Sequence, residues 1–249
     1  MDLNGKVAFV TGGSGDIGRA IAEALAASGA DVAVSYLGEA DRAAAVVEAV
    51  RRAGRQGHAV QLDQRDPKSI DLCLEKVMSH FGRIDILVNN AAWNIGIPFA
   101  DLEALTPEIW DRVHETNLRG PFLLSRLFAS ELRRHKAGRI INIASLAGLA
   151  PVGSSIAYAA SKAGLIHLTH CMAVALAPEV LVNCVAPGLL EGTRATANLL
   201  KSQIDNSAAA ALLKKAADKD DVADQVVTMC RTETMTGQTV AIDSGRIFH

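Results

Sequence analysis

Short, almost unbroken apolar runs rich in Val and Ile alternate along this chain with longer stretches in which apolar residues recur at helical spacing. The runs fall at 7–11, 32–36, 58–62, 84–89, 139–143, 180–186 and 239–243. A strand that faces water on one side alternates apolar and polar residues. One that is apolar throughout has to be covered on both faces, as in a parallel sheet with crossover helices on either side. The fold class is therefore α/β, predicted as a doubly wound parallel sheet of about seven strands.

The helix starts carry their own signals. Asp66-Pro67 and Thr106-Pro107 each place a capping side chain before a proline at the first helical position, predicting helices that run to about residues 81 and 134. No Pro/Gly/Ser-rich linker, repeat or low-complexity tract divides the sequence, so one domain is expected over 1–249. The rhythm breaks once, at 189–215, an alanine-rich helical stretch where a direct crossover is due. An insertion beside a site reads as a lid over substrate.

Composition removes several classes of function. With 25 Lys plus Arg against 27 Asp plus Glu the formal charge is −2, and nothing supplies the field that holds a nucleic acid. Cys73, Cys171, Cys184 and Cys230 lie far apart with no metal-ligand spacing. They read as reduced, buried thiols, and no metal site is predicted. His167 and His170 share a helical face without a third ligand and read as packing or surface residues. The N-terminal apolar run is too short for a signal peptide, which gives a cytoplasmic expectation. The uncharged stretch 140–161 has the length of a membrane span but contains Asn142, Gly148, Pro151 and Gly153. It reads instead as a buried strand followed by an active-site loop.

Four motifs carry chemistry. Thr11-Gly12-Gly13-Ser14-Gly15-Asp16-Ile17-Gly18 joins the first strand to a helix, the setting in which bare backbone N–H groups at a helix start receive a dinucleotide pyrophosphate. Tyr158-x-x-x-Lys162 puts a phenol and an ammonium one helical turn apart. A phenol with an ordinary pKa of about 10 needs such a cation to exchange protons near neutrality. Ser145 follows the strand at 139–143 and so stands at the carboxyl edge of the sheet, where open α/β folds bind ligands. Asn89-Asn90-Ala91-Ala92 ends the strand at 84–89, where short amides satisfy exposed backbone beside a cofactor.

In their order along the chain these motifs, with Asp63, Asn117 and Pro187-Gly188, resemble the short-chain dehydrogenase/reductase family from Lys6 to Gly245. The resemblance implies a Rossmann-type domain, a homodimer or homotetramer, that transfers hydride between NAD(P) and a carbonyl or alcohol. It implies Tyr158 as proton donor, Lys162 lowering the phenol pKa and holding the nicotinamide ribose, Ser145 orienting the carbonyl, and Asn117 supporting a water-linked relay. The implied cofactor contacts are Gly12, Ser14, Gly15, Asp16, Ile17, Gly18, Tyr36, Asp63, Gln64, Asn90, Ala91, Pro187, Gly188, Leu190 and Thr193, with Tyr158 and Lys162. Asp16 departs from the pattern by standing where the family has glycine, so it is expected to point outward, and the threonine of the Pro187 segment falls one place late, at 193. Tyr36 occupies the position where an acid would select NAD. The missing repulsion favours NADP, although Gly15 stands where many NADP enzymes have arginine, and Arg42 reads as a solvated helix residue.

Trp93, Asn94, Ala147, Val152 and Leu189 are the expected substrate contacts, mainly apolar, which suits a neutral ketone or ring imine. Reduction of a 3-oxoacyl thioester and reduction of a pteridine-type C=N bond reuse the same residues and both remain open at this level. A non-catalytic NADP(H) sensor on this fold has no need of Ser145, Tyr158 and Lys162.

Overall fold

The computed structural model describes residues 1–193, 196 and 201–248. Seven strands form one parallel sheet in the order β3-β2-β1-β4-β5-β6-β7. They are β1 (Val7–Val10), β2 (Asp31–Tyr36), β3 (Gly57–Gln61), β4 (Ile86–Asn89), β5 (Gly138–Ile143), β6 (Val180–Pro187) and β7 (Thr239–Ile242). The helices are α1 (Asp16–Ala27), α2 (Ala40–Arg52), α3 (Pro67–Phe81), α4 (Pro107–His114), α5 (Gly120–Arg134), α6 (Ile156–Leu176), α7 (Lys201–Ala210) and α8 (Lys219–Arg231).

The unbroken apolarity of the strands is explained by the two cores they separate. Within β1, Ala8 and Val10 pack with Ile21 and Leu25 of α1, while Phe9 turns to the other face and stacks on Phe128 of α5 at 5.4 Å. Ile86 and Val88 serve the first core and Leu87 the second, and Ile141 and Ile140 divide in the same way. Alternation is present, but both faces are apolar.

Asp66 caps α3 by accepting from the Lys68 N–H at 3.0 Å, and Thr106 caps α4 by accepting from Ile109 at 3.4 Å. The helix expected from Pro107 to residue 134 is not uniform. A π-turn over Glu115–Arg119 separates α4 from α5, and Asn117 lies in it, buried. Such turns aim side chains that a regular helix would misplace. A second correction concerns the cysteines: Cys73, Cys184 and Cys230 are buried, but Cys171 on α6 is exposed.

Arg139 of β5 is 3% exposed, and its hydrogen bonds among the described residues go to backbone carbonyls. Its guanidinium donates to the carbonyls of Cys230 and Thr232 at the end of α8 and to Ala137 and Gly138, at 3.0–3.2 Å. It closes the C-terminal end of that helix, where carbonyls otherwise lack donors. Replacing Arg139 by Met should cost about 3 kcal/mol, because buried carbonyls are left without a donor. Urea unfolding would show this as a lower midpoint at unchanged slope, and an unaltered midpoint would mean that α8 ends as well without it.

Residues 194, 195 and 197–200, inside the expected lid, lie outside the described residues. On either side, α7 is helical as expected, and the Leu212 and Leu213 N–H groups donate to Gly245 and Ser244.

Candidate active site

The strand order reverses between β1 and β4, and the carboxyl ends of the strands open there into a cleft of about 720 Å³. Its floor is the glycine loop. Gly12, at φ 62°, donates its N–H to Ser35 Oγ at 3.0 Å, so the residue before Tyr36 holds the loop to β2. A Cβ on Gly18 would come within 2.4 Å of the Gly12 carbonyl and 2.7 Å of the Asn90 amide. Only hydrogen fits there.

Asn90 braces the loop from β4. Its Nδ2 donates to the carbonyls of Thr11 (2.9 Å) and Gly12 (3.3 Å), and Thr11 Oγ1 receives the N–H groups of Asn90 and Ala91, both at 3.0 Å. The first turn of α1 carries no side-chain cap, because Gly15 stands at its N-cap. Uncapped N–H groups at a helix start, bare backbone and the dipole together make an anion seat. Beside it Gln64, 5% exposed, donates to the Ala91 and Thr116 carbonyls, while its Oε1 has no partner among the described residues. This cradle fits a dinucleotide.

The expected contacts do not all face the cleft. Gly12, Ser14, Gly15, Asp16, Ile17, Gly18, Tyr36, Asp63, Gln64, Asn90, Ala91 and Thr193 line it, as do Tyr158 and Lys162. The Asp63 carboxylate is already gripped by Arg65, at 2.7 Å from Nη2, and that hydrogen bonding holds its carboxyl below the usual range. Pro187 and Gly188 instead pack along β7, with the Gly188 N–H on the Ile242 carbonyl. The Leu190 side chain lies in the first core and its carbonyl receives the hydroxyls of Thr193 and Thr196. Trp93 and Asn94 line the cleft. Ala147 is buried behind Ser145, Val152 is exposed, and neither they nor Leu189 line it.

Arg42 corrects the sequence reading. It is tied to the glycine loop, donating to the Ser14 carbonyl and to Asp16, each at 3.0 Å. Asp16 thus finds a cation across the loop. Ser35, Arg65 and Arg112 also went unassigned from sequence. Arg112 lines the cleft and sits 4.0 Å over the Trp93 ring. Only the tertiary fold brings α4 against the end of β4, so no local signal marks that pair.

At the far end, Ser155 caps α6 by accepting from the Tyr158 N–H, fixing the phenol in the first turn and Lys162 one turn on. Lys162 is 3% exposed and its Nζ donates to the Ile143 carbonyl at 2.7 Å. Burial lowers its pKa to about 8. Tyr158 keeps some exposure to the cleft, yet its surroundings are dry enough for desolvation to raise the phenol pKa, and hydrogen bonding to Ser145 opposes the rise. The Lys162 ammonium lies 5.7 Å from the ring centroid of Tyr158 and is engaged by Ile143. Asn117 grips Trp93 through both backbone groups, at 2.8 and 2.9 Å, and donates to Ser161 at 3.2 Å. It positions the cleft wall against α6.

A doubly wound sheet with a glycine-rich dinucleotide cradle at one end of its cleft and a Ser-Tyr-Lys group at the other defines a class of nicotinamide-dependent oxidoreductases. A family model described as a short chain dehydrogenase matches residues 6–204. The chain belongs to the short-chain dehydrogenase/reductase family and is an NAD(P)-dependent oxidoreductase. It is 36% identical over 246 residues to the 3-oxoacyl-(acyl-carrier-protein) reductase of Staphylococcus epidermidis, covering 96% of this chain and 98% of the relative. To the enzyme of that name from Escherichia coli it is 37% identical, with 98% of each covered. Among solved structures, a short chain dehydrogenase from Burkholderia cenocepacia in complex with NADP superposes with a TM-score of 0.90 at 35% identity and 99% coverage of both chains. A blue fluorescent protein from a metagenomic library, in complex with NADPH, gives 0.90 at 32% identity over 100% of both.

Proposed function

We propose that this chain reduces a neutral ketone, of the 3-oxoacyl thioester class, with NADPH, and that Tyr158 is the general acid. The observation that carries the reading is the desolvated pair Tyr158 and Lys162 at the end of a cleft whose other end fits a dinucleotide, with Ser145 hydrogen-bonded to the phenol. The bound nicotinamide supplies the hydride. Ser145 and Tyr158 hydrogen-bond the carbonyl oxygen, and Tyr158 gives it a proton as charge develops there. Lys162 places a cation beside the phenolate this leaves. It uses one of its three donors on Ile143, so others remain for a ribose hydroxyl.

The absence of an acid at Tyr36 supports NADPH over NADH, as do relatives held with NADP and NADPH. Trp93 and the apolar wall at Ile143 and Ala144 suit an uncharged substrate. Self-association as a dimer or tetramer, implied by the family, completes the reading.

The test is the initial rate of oxidation of NADPH and of NADH against 3-oxoacyl thioesters, dihydropteridines, quinones and simple ketones. Turnover concentrated on 3-oxoacyl thioesters with NADPH is the expected result. Turnover confined to dihydropteridines would replace the substrate assignment, and binding of the cofactor with no turnover would leave a sensor.

A further inference from the structure

The π-turn between α4 and α5 leaves one backbone carbonyl without its helical donor. In a regular helix the Gly120 N–H would bond to Thr116, four residues back. Here it reaches one residue further, to the Glu115 carbonyl. The N–H that could serve Thr116 in this wider register would be that of Pro121, which has none. Gln64 fills the gap from outside the helix. Its Nε2 donates to the Thr116 carbonyl at 2.6 Å and to the Ala91 carbonyl at 3.0 Å.

Two carbonyls face the same atom, so the amide has to sit with its nitrogen towards them. That orientation strands Oε1 without a partner among the described residues, a cost that buried acceptors seldom bear. Gly120 lets the side chain come this close: a Cβ there would stand 2.9 Å from Gln64 Cγ and 3.0 Å from the Gln64 carbonyl oxygen. The bridged carbonyls belong to two segments that line the cleft. Two residues beyond Ala91, the Trp93 backbone is gripped by Asn117, the residue after Thr116, which also donates to Ser161. Ser161 in turn donates to the Tyr158 carbonyl at 2.8 Å. Gln64 and Asn117 are thus two rungs between the same pair of segments, and the chain they begin ends at the residue that carries the phenol.

We propose that Gln64 is a positioning residue for the reaction: it fixes the π-turn, and with it Asn117 and the Trp93 wall, in the register that the Tyr158 group requires. This goes beyond a cofactor contact and rests on the ketone-reduction reading above. A hydrocarbon side chain of the same length leaves both carbonyls without a donor and frees the turn to take the ordinary helical register, which rotates Asn117 away from Trp93. A displacement of about 1 Å at a wall that orients substrate costs on the order of 10²-fold in rate. Dinucleotide binding, spread over the glycine loop and the segment braced by Asn90, has other holds.

The experiment uses the intact protein with Gln64→Met and, separately, Gly120→Ala, which keeps the amide but pushes it off the turn. Two readouts are taken: steady-state reduction of a 3-oxoacyl thioester by NADPH, and acrylamide quenching of Trp93 in a Trp110→Phe background that leaves one tryptophan in the chain. Each variant should lower kcat by about 10-fold or more while the KM for NADPH changes by less than roughly 3-fold, and the double variant should add little to either. Trp93 should become easier to quench in both. A rise in the NADPH KM at unchanged kcat would make Gln64 a cofactor contact, and the proposal falls. A lower urea midpoint with kcat and Trp93 quenching unaltered would leave it a packing residue and would also overturn the proposal. Absence of wild-type turnover with the thioester would remove the ketone reading itself, and Trp93 quenching then decides alone: unchanged in Gln64→Met it overturns the positioning role, increased it supports it.

Discussion

Tyr158→Phe should lower kcat for ketone reduction by roughly 10²–10⁴-fold and leave dinucleotide affinity nearly as it was. The substitution removes one oxygen. The ring keeps its place beside Gly153, and α6 keeps its Ser155 cap. What disappears is the proton that reaches the carbonyl oxygen as hydride arrives, an interaction worth most in the transition state. Rapid-mixing kinetics with a 3-oxoacyl thioester, together with NADPH binding by fluorescence, separate the two effects. Turnover equal to wild type would remove Tyr158 from the chemistry. A loss confined to dinucleotide affinity would assign it a binding role instead.

Lys162→Met should abolish most turnover and weaken dinucleotide binding together if, as proposed above, the same ammonium serves both the phenol and the ribose. A variant that lost turnover alone would count against the second role. The pH dependence follows from burial. With the folded-state pKa lowered to about 8, the cation is present below that value and lost as pH rises through it. In the wild type kcat/KM should therefore fall on the alkaline side with a midpoint near 8, and Lys162→Arg, always charged, should lack that limb whatever activity it retains.

Stability should move the other way. Between pH 8 and 10.5 the unfolded chain holds this proton more tightly than the folded one, so the Lys162 contribution to stability rises with pH across that window. At pH 7 the buried charge costs about 3 kcal/mol, set against about 1 kcal/mol for its bond to Ile143. The neutral Met variant should accordingly be no less stable than wild type at pH 7, and any advantage should shrink by pH 10.5. Urea unfolding at the two pH values reads this directly. A site that carries charge in a dry place at the expense of stability is what catalysis, rather than packing, requires.

Much of this was legible in the sequence because it is local. The strand runs were found within two residues of their observed bounds, since a strand covered on both faces is apolar at most of its positions. The one-turn spacing of Tyr158 and Lys162 fixes that pair on one helix face whatever surrounds it. The misses were of another kind. Arg42 looked like a solvated residue because its partners, Ser14 and Asp16, are 28 and 26 positions away. The π-turn at Asn117 left no mark in the spacing of apolar residues.

By itself, then, the sequence determined the parallel sheet, the glycine cradle and the identity of the Ser145, Tyr158 and Lys162 group, because strand burial, helix capping and one-turn spacing depend on near neighbours. The tertiary structure decided what those groups experience. Lys162 loses its water and part of its proton affinity inside the fold, Asp16 acquires a cation from another helix, and Asp63 is engaged by Arg65. Dielectric and charge partners are properties of three-dimensional packing, and no periodicity along the chain encodes them.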